Sequence, residues 1–142
     1  MVYKNRPAFL YNRFGMKIRI KGNSIRLRLS QGDVAEFARN GKVEERTEFG
    51  GSSQSFVYSI VAESGAEKIS ARFENGRISI SVPQAVAENW RQTEEDGISG
   101  EQELPTGKTL RILIEKDFAC LAPRAGEDET DNFPHPESDK IC

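Results

Sequence analysis

Two stretches of this chain alternate apolar and basic residues with a period of two, Lys17-Ile-Arg-Ile-Lys and Ile25-Arg-Leu-Arg-Leu. That period sends successive side chains to opposite faces, so each stretch is a half-buried β-strand. Gly22-Asn23 lies between them, and a glycine in first place suits a two-residue type II′ turn. The resulting register pairs Ile20 with Ile25 and Ile18 with Leu27 on the buried side. It also sets Arg19 against Arg26 and Lys17 against Arg28 on the other side. Like charges directly opposite each other repel. The hairpin therefore needs a neighbouring acidic strand or a bound anion.

A second hairpin is signalled by Asn75-Gly76 between Lys68-Ile-Ser-Ala-Arg-Phe-Glu and Arg77-Ile-Ser-Ile-Ser-Val. Its register puts Phe73 opposite Ile78, Ala71 opposite Ile80 and Ile69 opposite Val82, all on one face. Between the hairpins, Ser30 with Asp33 resembles a capping box. Val34, Phe37 and Ala38 then fall at helical spacing and Gly41 ends the run, which predicts a helix over about 31–40. Strands are expected over about 42–49 and 55–61, with a Gly/Ser loop between them. Pro83 opens a second helix over about 83–92, with Val86 and Trp90 facing the core. Residues 93–107 read as a loop, and Thr109–Ile114 as a central strand. After Phe118, Pro123, Pro134 and Pro136 break regularity. No internal repeat is strong enough to argue from. The order ββαββββαβ, with too few helices for a doubly wound sheet, predicts an α+β fold: a curved or barrel-like antiparallel sheet of about seven strands covered by two helices.

The 142 residues suit one domain with a real core. We divide the chain into a flexible leader or upstream extension (1–15), an α+β domain (16–118) and an acidic, Pro-containing C-terminal segment (119–142). The net charge of −2 conceals an asymmetry. Residues 1–32 hold Lys4, Arg6, Arg13, Lys17, Arg19, Lys21, Arg26 and Arg28 and no acid, whereas residues 119–142 hold Glu127, Asp128, Glu129, Asp131, Glu137 and Asp139 against Arg124 and Lys140. Such ends either meet each other or leave the basic end for an anionic partner. Two cysteines make no disulfide framework, and the N-terminus has no secretory apolar region. No apolar run is long enough to span a bilayer, so we expect a reduced, cytoplasmic protein without a membrane partner.

Four groups of residues could carry chemistry. Lys17, Arg19, Arg26 and Arg28 share one face and could hold phosphates through charge and bidentate guanidinium contacts. No aromatic residues interleave with them as stacking platforms, and a pI of 5.6 also argues against nucleic acid. The bland alternative is that Glu44 and Glu48 or the acidic C-terminus neutralises this face. Cys120 and His135, with Asp128 or Asp131 and the terminal Cys142, are ligand types that suit zinc, at a spacing that fits no standard finger or ribbon. Glu115 and Asp117 lie two apart at a strand end, as an acid/base pair, a cation site, or counter-ions for Arg111 or Arg72. Phe133-Pro-His-Pro136 is extended; either Phe133 tucks into a groove and fixes the tail, or the segment is a short exposed recognition peptide of the Pro-rich kind. Glu127-Asp-Glu-Thr-Asp131 departs from a calcium loop because Gly126 precedes the acids instead of interrupting them.

Two segments carry a resemblance: Met16–Leu29, and Glu115-Lys-Asp-Phe-x-Cys-Leu121 with Arg124, Glu127-Asp128, Asp131 and Phe133-Pro-x-Pro136. Together they resemble a family of small, uncharacterised bacterial cytosolic proteins, a domain of unknown function, over about residues 16–136. The resemblance implies a single bacterial domain that starts near Met16, and it carries no catalytic residue over. The leading expectation is a non-enzymatic binding or regulatory module. In it Arg124, Glu127, Asp128 and Asp131 form salt bridges with the basic hairpin, and the partner is a protein or a small anionic ligand. The alternatives are a small enzyme or binding protein for a phosphorylated ligand held by the hairpin, and metal binding by the C-terminal segment.

Overall fold

The computed structural model describes residues 15–118 and 131–134. The elements are β1 (Lys17–Lys21), β2 (Ser24–Leu29), α1 (Gln31–Asn40), β3 (Lys42–Glu48), β4 (Ser55–Glu63), β5 (Ser70–Glu74), β6 (Arg77–Pro83), α2 (Gln84–Gln92), β7 (Gly97–Glu103) and β8 (Thr109–Lys116). The class is α+β with two helices. The strands divide into two four-stranded mixed sheets, ordered β1-β2-β8-β7 and β3-β4-β6-β5, that do not close into a barrel. This corrects the expectation of one antiparallel sheet of about seven strands. The central pairs β2–β8 and β4–β6 are parallel.

Local chemistry explains the elements that were legible. Gly22 adopts φ 55, while Asn75 and Gly76 adopt φ 52 and 73, the positive values the two hairpin turns require. The first hairpin has the expected register, and in the second Phe73 lies opposite Ile78 and Ala71 opposite Ile80 as expected. The Ser30 hydroxyl caps the Asp33 N–H, the Asp33 carboxylate returns to the Ser30 N–H, and Gly41 ends α1 in the left-handed conformation. Three readings need correction. Residues 93–107 contain β7. The buried pair of α2 (Gln84–Gln92) is Ala87 and Trp90, three apart on one face, rather than Val86 and Trp90; Val86 is 37% exposed. Ile20 and Phe73, although on the apolar faces of their strands, are 56% and 69% exposed.

The two sheets face each other across one core. Both helices run from one sheet to the other at the same end, where Phe37 and Trp90 fill the interior. The topology is two-fold. Replacing β1-β2-α1-β3-β4 by β5-β6-α2-β7-β8 and vice versa turns each sheet into the other. The ladders obey the same exchange: Lys17↔Arg28 becomes Ser70↔Ser81, Ser24↔Arg111 becomes Arg77↔Val57, and Gly97↔Glu115 becomes Lys42↔Val61. Core residues correspond as well: Ile25 with Ile78, Leu27 with Ile80, Leu29 with Val82, Phe37 with Trp90, and Ile60 with Ile114. The chain is thus an internal duplication in architecture, which its sequence does not advertise.

The sheet edges are tied by side chains. The Met16 N–H donates to Glu45 Oε2 at 3.1 Å, and the Tyr58 hydroxyl donates to the Met16 carbonyl at 2.6 Å. At the other edge Gln102 behaves like a strand: its Oε1 accepts from the Ala71 N–H at 2.7 Å and its Nε2 donates to the Ala71 carbonyl at 3.1 Å. Gly100 allows this approach, since a Cβ there would stand 2.9 Å from Ile69 Cβ.

Residues 131–134 return to the domain. Phe133 is 1% exposed, packs edge-on against Phe118 at 5.8 Å, and donates its N–H to the Asp117 carbonyl at 2.6 Å. The buried Lys116 lies over both Trp90 (5.7 Å) and Phe133 (5.5 Å) and donates to the Thr93 carbonyl at 2.7 Å. Among the described residues no helix is long and apolar enough to cross a membrane.

Candidate functional site

The outer face of the first sheet is a grid set by register. Three rows cross it in the order β1, β2, β8, β7: Lys17·Arg28·Glu115·Gly97, then Arg19·Arg26·Leu113·Ser99, then Lys21·Ser24·Arg111·Glu101. Strands stand about 5 Å apart, so these cations are crowded. The repulsion expected from the sequence is answered by β8. Arg26 Nε donates to Glu115 Oε1 at 2.5 Å, and Arg28 Nε donates to the same oxygen at 2.9 Å. Lys17 Nζ lies 3.0 Å from Asp117 Oδ2. Glu115 and Asp117 therefore serve the hairpin rather than Arg72 or Arg111, and Arg111 faces Glu101 at 3.8 Å with both side chains exposed. Strand β3 cannot neutralise this face because it lies in the other sheet, where Glu44 pairs with Lys42 and Arg77.

Compensation is partial. Two guanidinium groups share one carboxylate oxygen, and each uses only its Nε for it among the described residues. Arg19 and Lys21 have no ion-pair partner among the described residues. A depression of about 210 Å³ is lined by Lys17, Ile18, Arg19, Arg26 and Arg28. A second, of about 560 Å³, runs from Arg26 over Leu113 to Ser99 and Arg111. Arg111, Leu113 and Ser99 were missed as site residues. The parallel β2–β8 pairing brings them beside the hairpin, and no local sequence signal encodes it.

The duplication supplies an internal control. The equivalent rows on the second sheet read Ser70·Ser81·Val61·Lys42, Arg72·Ser79·Ser59·Glu44 and Glu74·Arg77·Val57·Arg46. Where the first sheet has Arg26, Arg28 and Glu115, the second has Ser79, Ser81 and Val61. The same backbone folds without that charge cluster, so the fold itself does not require it.

The remaining candidates lie elsewhere. Asp131 sits at the start of α1, with Oδ1 and Oδ2 each 3.1 Å from the Gly32 N–H and its carbonyl accepting from the Gln31 N–H at 2.8 Å. A carboxylate there complements the helix dipole. Cys120, Asp128, His135 and Cys142, together with Arg124 and Glu127, lie outside the described residues. Among the described residues no group of three His, Cys, Asp or Glu side chains could hold a metal.

The model of a family of unknown function (DUF7009) matches residues 16–137, and the chain belongs to that family. No curated protein and no solved structure matches it.

Proposed function

We propose that this chain is a non-enzymatic binding module that takes a phosphorylated or otherwise polyanionic small molecule on the basic outer face of its first sheet. The observation that carries the reading is the shared counter-ion: Arg26 and Arg28 both lean on Glu115 Oε1, while Arg19 has no ion-pair partner among the described residues. The Nη groups of Arg26 and Arg28 remain for bidentate contacts with phosphate oxygens, and Arg19 sits opposite Arg26 to add a third guanidinium. Such a face offers donors that are always charged, which hold an anion but do not take its protons. Leu113 and Ser99 extend the floor for an uncharged part of the ligand. The bacterial and cytoplasmic setting belongs to the same proposal and is supported by the sequence resemblance.

Calorimetric titration with inorganic tripolyphosphate tests it. Binding is expected at low ionic strength and is expected to weaken steeply as salt is added. Arg26→Gln with Arg28→Gln should abolish it without lowering the melting temperature by more than a few degrees, since the two half-buried pairs with Glu115 are replaced by amides that still donate to it and such pairs contribute about 1 kcal/mol each. Glu115→Gln removes the competing carboxylate and should tighten binding roughly fivefold, the equivalent of about 1 kcal/mol. No binding at low salt rejects the proposal.

A second reading keeps the acidic segment as the anion. Phe118 and Phe133, on either side of residues 119–130, pair beside Asp117, the partner of Lys17. Glu127 and Asp128 would then compete with the ligand for the hairpin. Glu127→Gln with Asp128→Asn should raise tripolyphosphate affinity under this reading and leave it unchanged otherwise.

A further inference from the structure

The two halves differ at the seams between their sheets. Edge strand β5 meets β7, and its equivalent β1 meets β3. The β5–β7 seam is closed, because Gln102 takes both the N–H and the carbonyl of Ala71 while Gly100 lets Ile69 approach. At the equivalent positions the β1–β3 seam has Thr47 for Gln102, Glu45 for Gly100, Ile18 for Ala71 and Met16 for Ile69. Glu45 and Tyr58 hold Met16 before the start of β1. Beyond them the seam is open: Thr47 is exposed and makes no hydrogen bond to β1 among the described residues.

The ladder decides which backbone groups of β1 are left over. In an antiparallel pair only alternate residues bond across. The carbonyls of Asn23 and Leu29 accept from Arg111 and Asp117, on the β8 side. The positions of β2 that bond β1 are therefore Ser24, Arg26 and Arg28, opposite Lys21, Arg19 and Lys17. Met16 has the other phase, since its N–H and carbonyl go to side chains across the seam. Ile18 and Ile20 share that phase. Their N–H and carbonyl groups point out of the sheet edge and have no partner among the described residues. Such an edge is a template for a further strand.

Side chains select the partner. Lys17, Arg19 and Lys21 line the outer side of this edge. Lys17 has Asp117, whereas Arg19 and Lys21 have no ion-pair partner among the described residues. A second copy of β1 laid alongside would set cation against cation, and an acidic strand would not. We infer that β1 accepts an extended acidic peptide from another protein as an added edge strand. Its backbone bonds Ile18 and Ile20, its acidic side chains fall beside Arg19 and Lys21, and its intervening apolar side chains lie along the open seam. Main-chain pairing supplies the affinity and the alternation supplies the selectivity. The inference goes beyond the anion site on the sheet face, because it uses backbone groups that a polyanion does not require.

Calorimetric titration of the full chain with a capped peptide of alternating glutamate and valine tests it. Saturable binding is expected. An edge strand bonds only every second residue of its neighbour, so N-methylation of one alternate set, valines or glutamates, should abolish binding while methylation of the other set leaves it. Ile20→Pro removes an outward N–H that the β2 ladder does not use, and an edge strand tolerates proline at such a position. It should weaken the peptide about tenfold. The same variant should keep the parent's melting temperature and the parent's response to tripolyphosphate, which separates failure here from failure of the face. Lys21→Glu should weaken the peptide about threefold. The inference is overturned by the absence of peptide binding, or by equal effects of the two methylated sets. It is also overturned by a concentration-dependent dimer that Ile20→Pro dissociates, which would make a second copy the occupant. Binding that appears only in the Glu127→Gln, Asp128→Asn variant would make the chain's own acidic segment the occupant and equally overturn it.

Discussion

Lys116 shows how one side chain can couple three parts of the molecule. It ends β8 on the inner face, where the duplicated half has Ala62, and it touches α2 through Trp90 and the C-terminal segment through Phe133. Burial pushes its ammonium below the usual lysine range, and the Asp96 and Glu95 carboxylates only partly offset this. The sign of the pH effect follows. Between the lowered folded value and the ordinary lysine value the unfolded chain binds the extra proton, so this group adds stability as pH rises through that window. The contribution is lost again as pH falls through the folded value. Lys116→Met removes the desolvation cost along with the bond to Thr93, so its stability near neutrality should lie within about 1 kcal/mol of the parent. Denaturant unfolding across the alkaline range should show a flatter pH dependence for the variant than for the parent. Identical slopes would mean that Lys116 is charged in the fold at no cost. Glu44 has the opposite charge and a lowered carboxyl, held down first by the Arg77 hydrogen bond, so its contribution is present above the usual carboxylate range and fades as pH falls through its folded value.

At the scale of elements, the C-terminal return is the contact most open to test. Phe133 fills a site beside Phe118 and under Lys116, and Asp131 seats on the first turn of α1. Phe133→Ala should cost about 3 kcal/mol, the usual loss for a buried aromatic, and lower the midpoint of urea unfolding accordingly. A loss near zero would show that the segment rests on the body without stabilising it. The hairpins, the α1 caps and the tuck of Phe133 could be read from the chain because each is encoded within a few residues: Gly22-Asn23, Asn75-Gly76, Ser30 with Asp33, and an aromatic before Pro134. Strand β7 could not. Its inner positions are Ile98, Gly100 and Gln102, so the alternation is broken by a glycine needed for close approach to Ile69 and by an amide that bonds Ala71. The parallel β2–β8 and β4–β6 pairs were equally silent, because period two gives a strand its faces but not its partner.

For the whole molecule, the duplication sets the basic face against an equivalent face that lacks its charge cluster. It was invisible in the sequence because only the core obeys it: Leu27 answers Ile80 and Phe37 answers Trp90, while the outer faces differ, with Arg26 and Arg28 on one and Ser79 and Ser81 on the other. Hydrophobic packing constrains volume and position rather than identity, so two halves can share an architecture with little common sequence. Half of the candidate site, the basic hairpin, was legible as alternating Lys/Arg; its counter-ions and floor came from β8 and β7 at long range. The central claim is that the cluster of Arg19, Arg26 and Arg28 around Glu115, present on one of two equivalent faces, serves binding. Backbone amide shifts recorded by NMR during titration with inorganic tripolyphosphate test it most directly. The account predicts that amides of Lys17–Arg28 and Arg111–Glu115 move while those of Ser70–Ser81 and Val57–Val61 stay still. Equal movement on both faces, or none on the first, would contradict it.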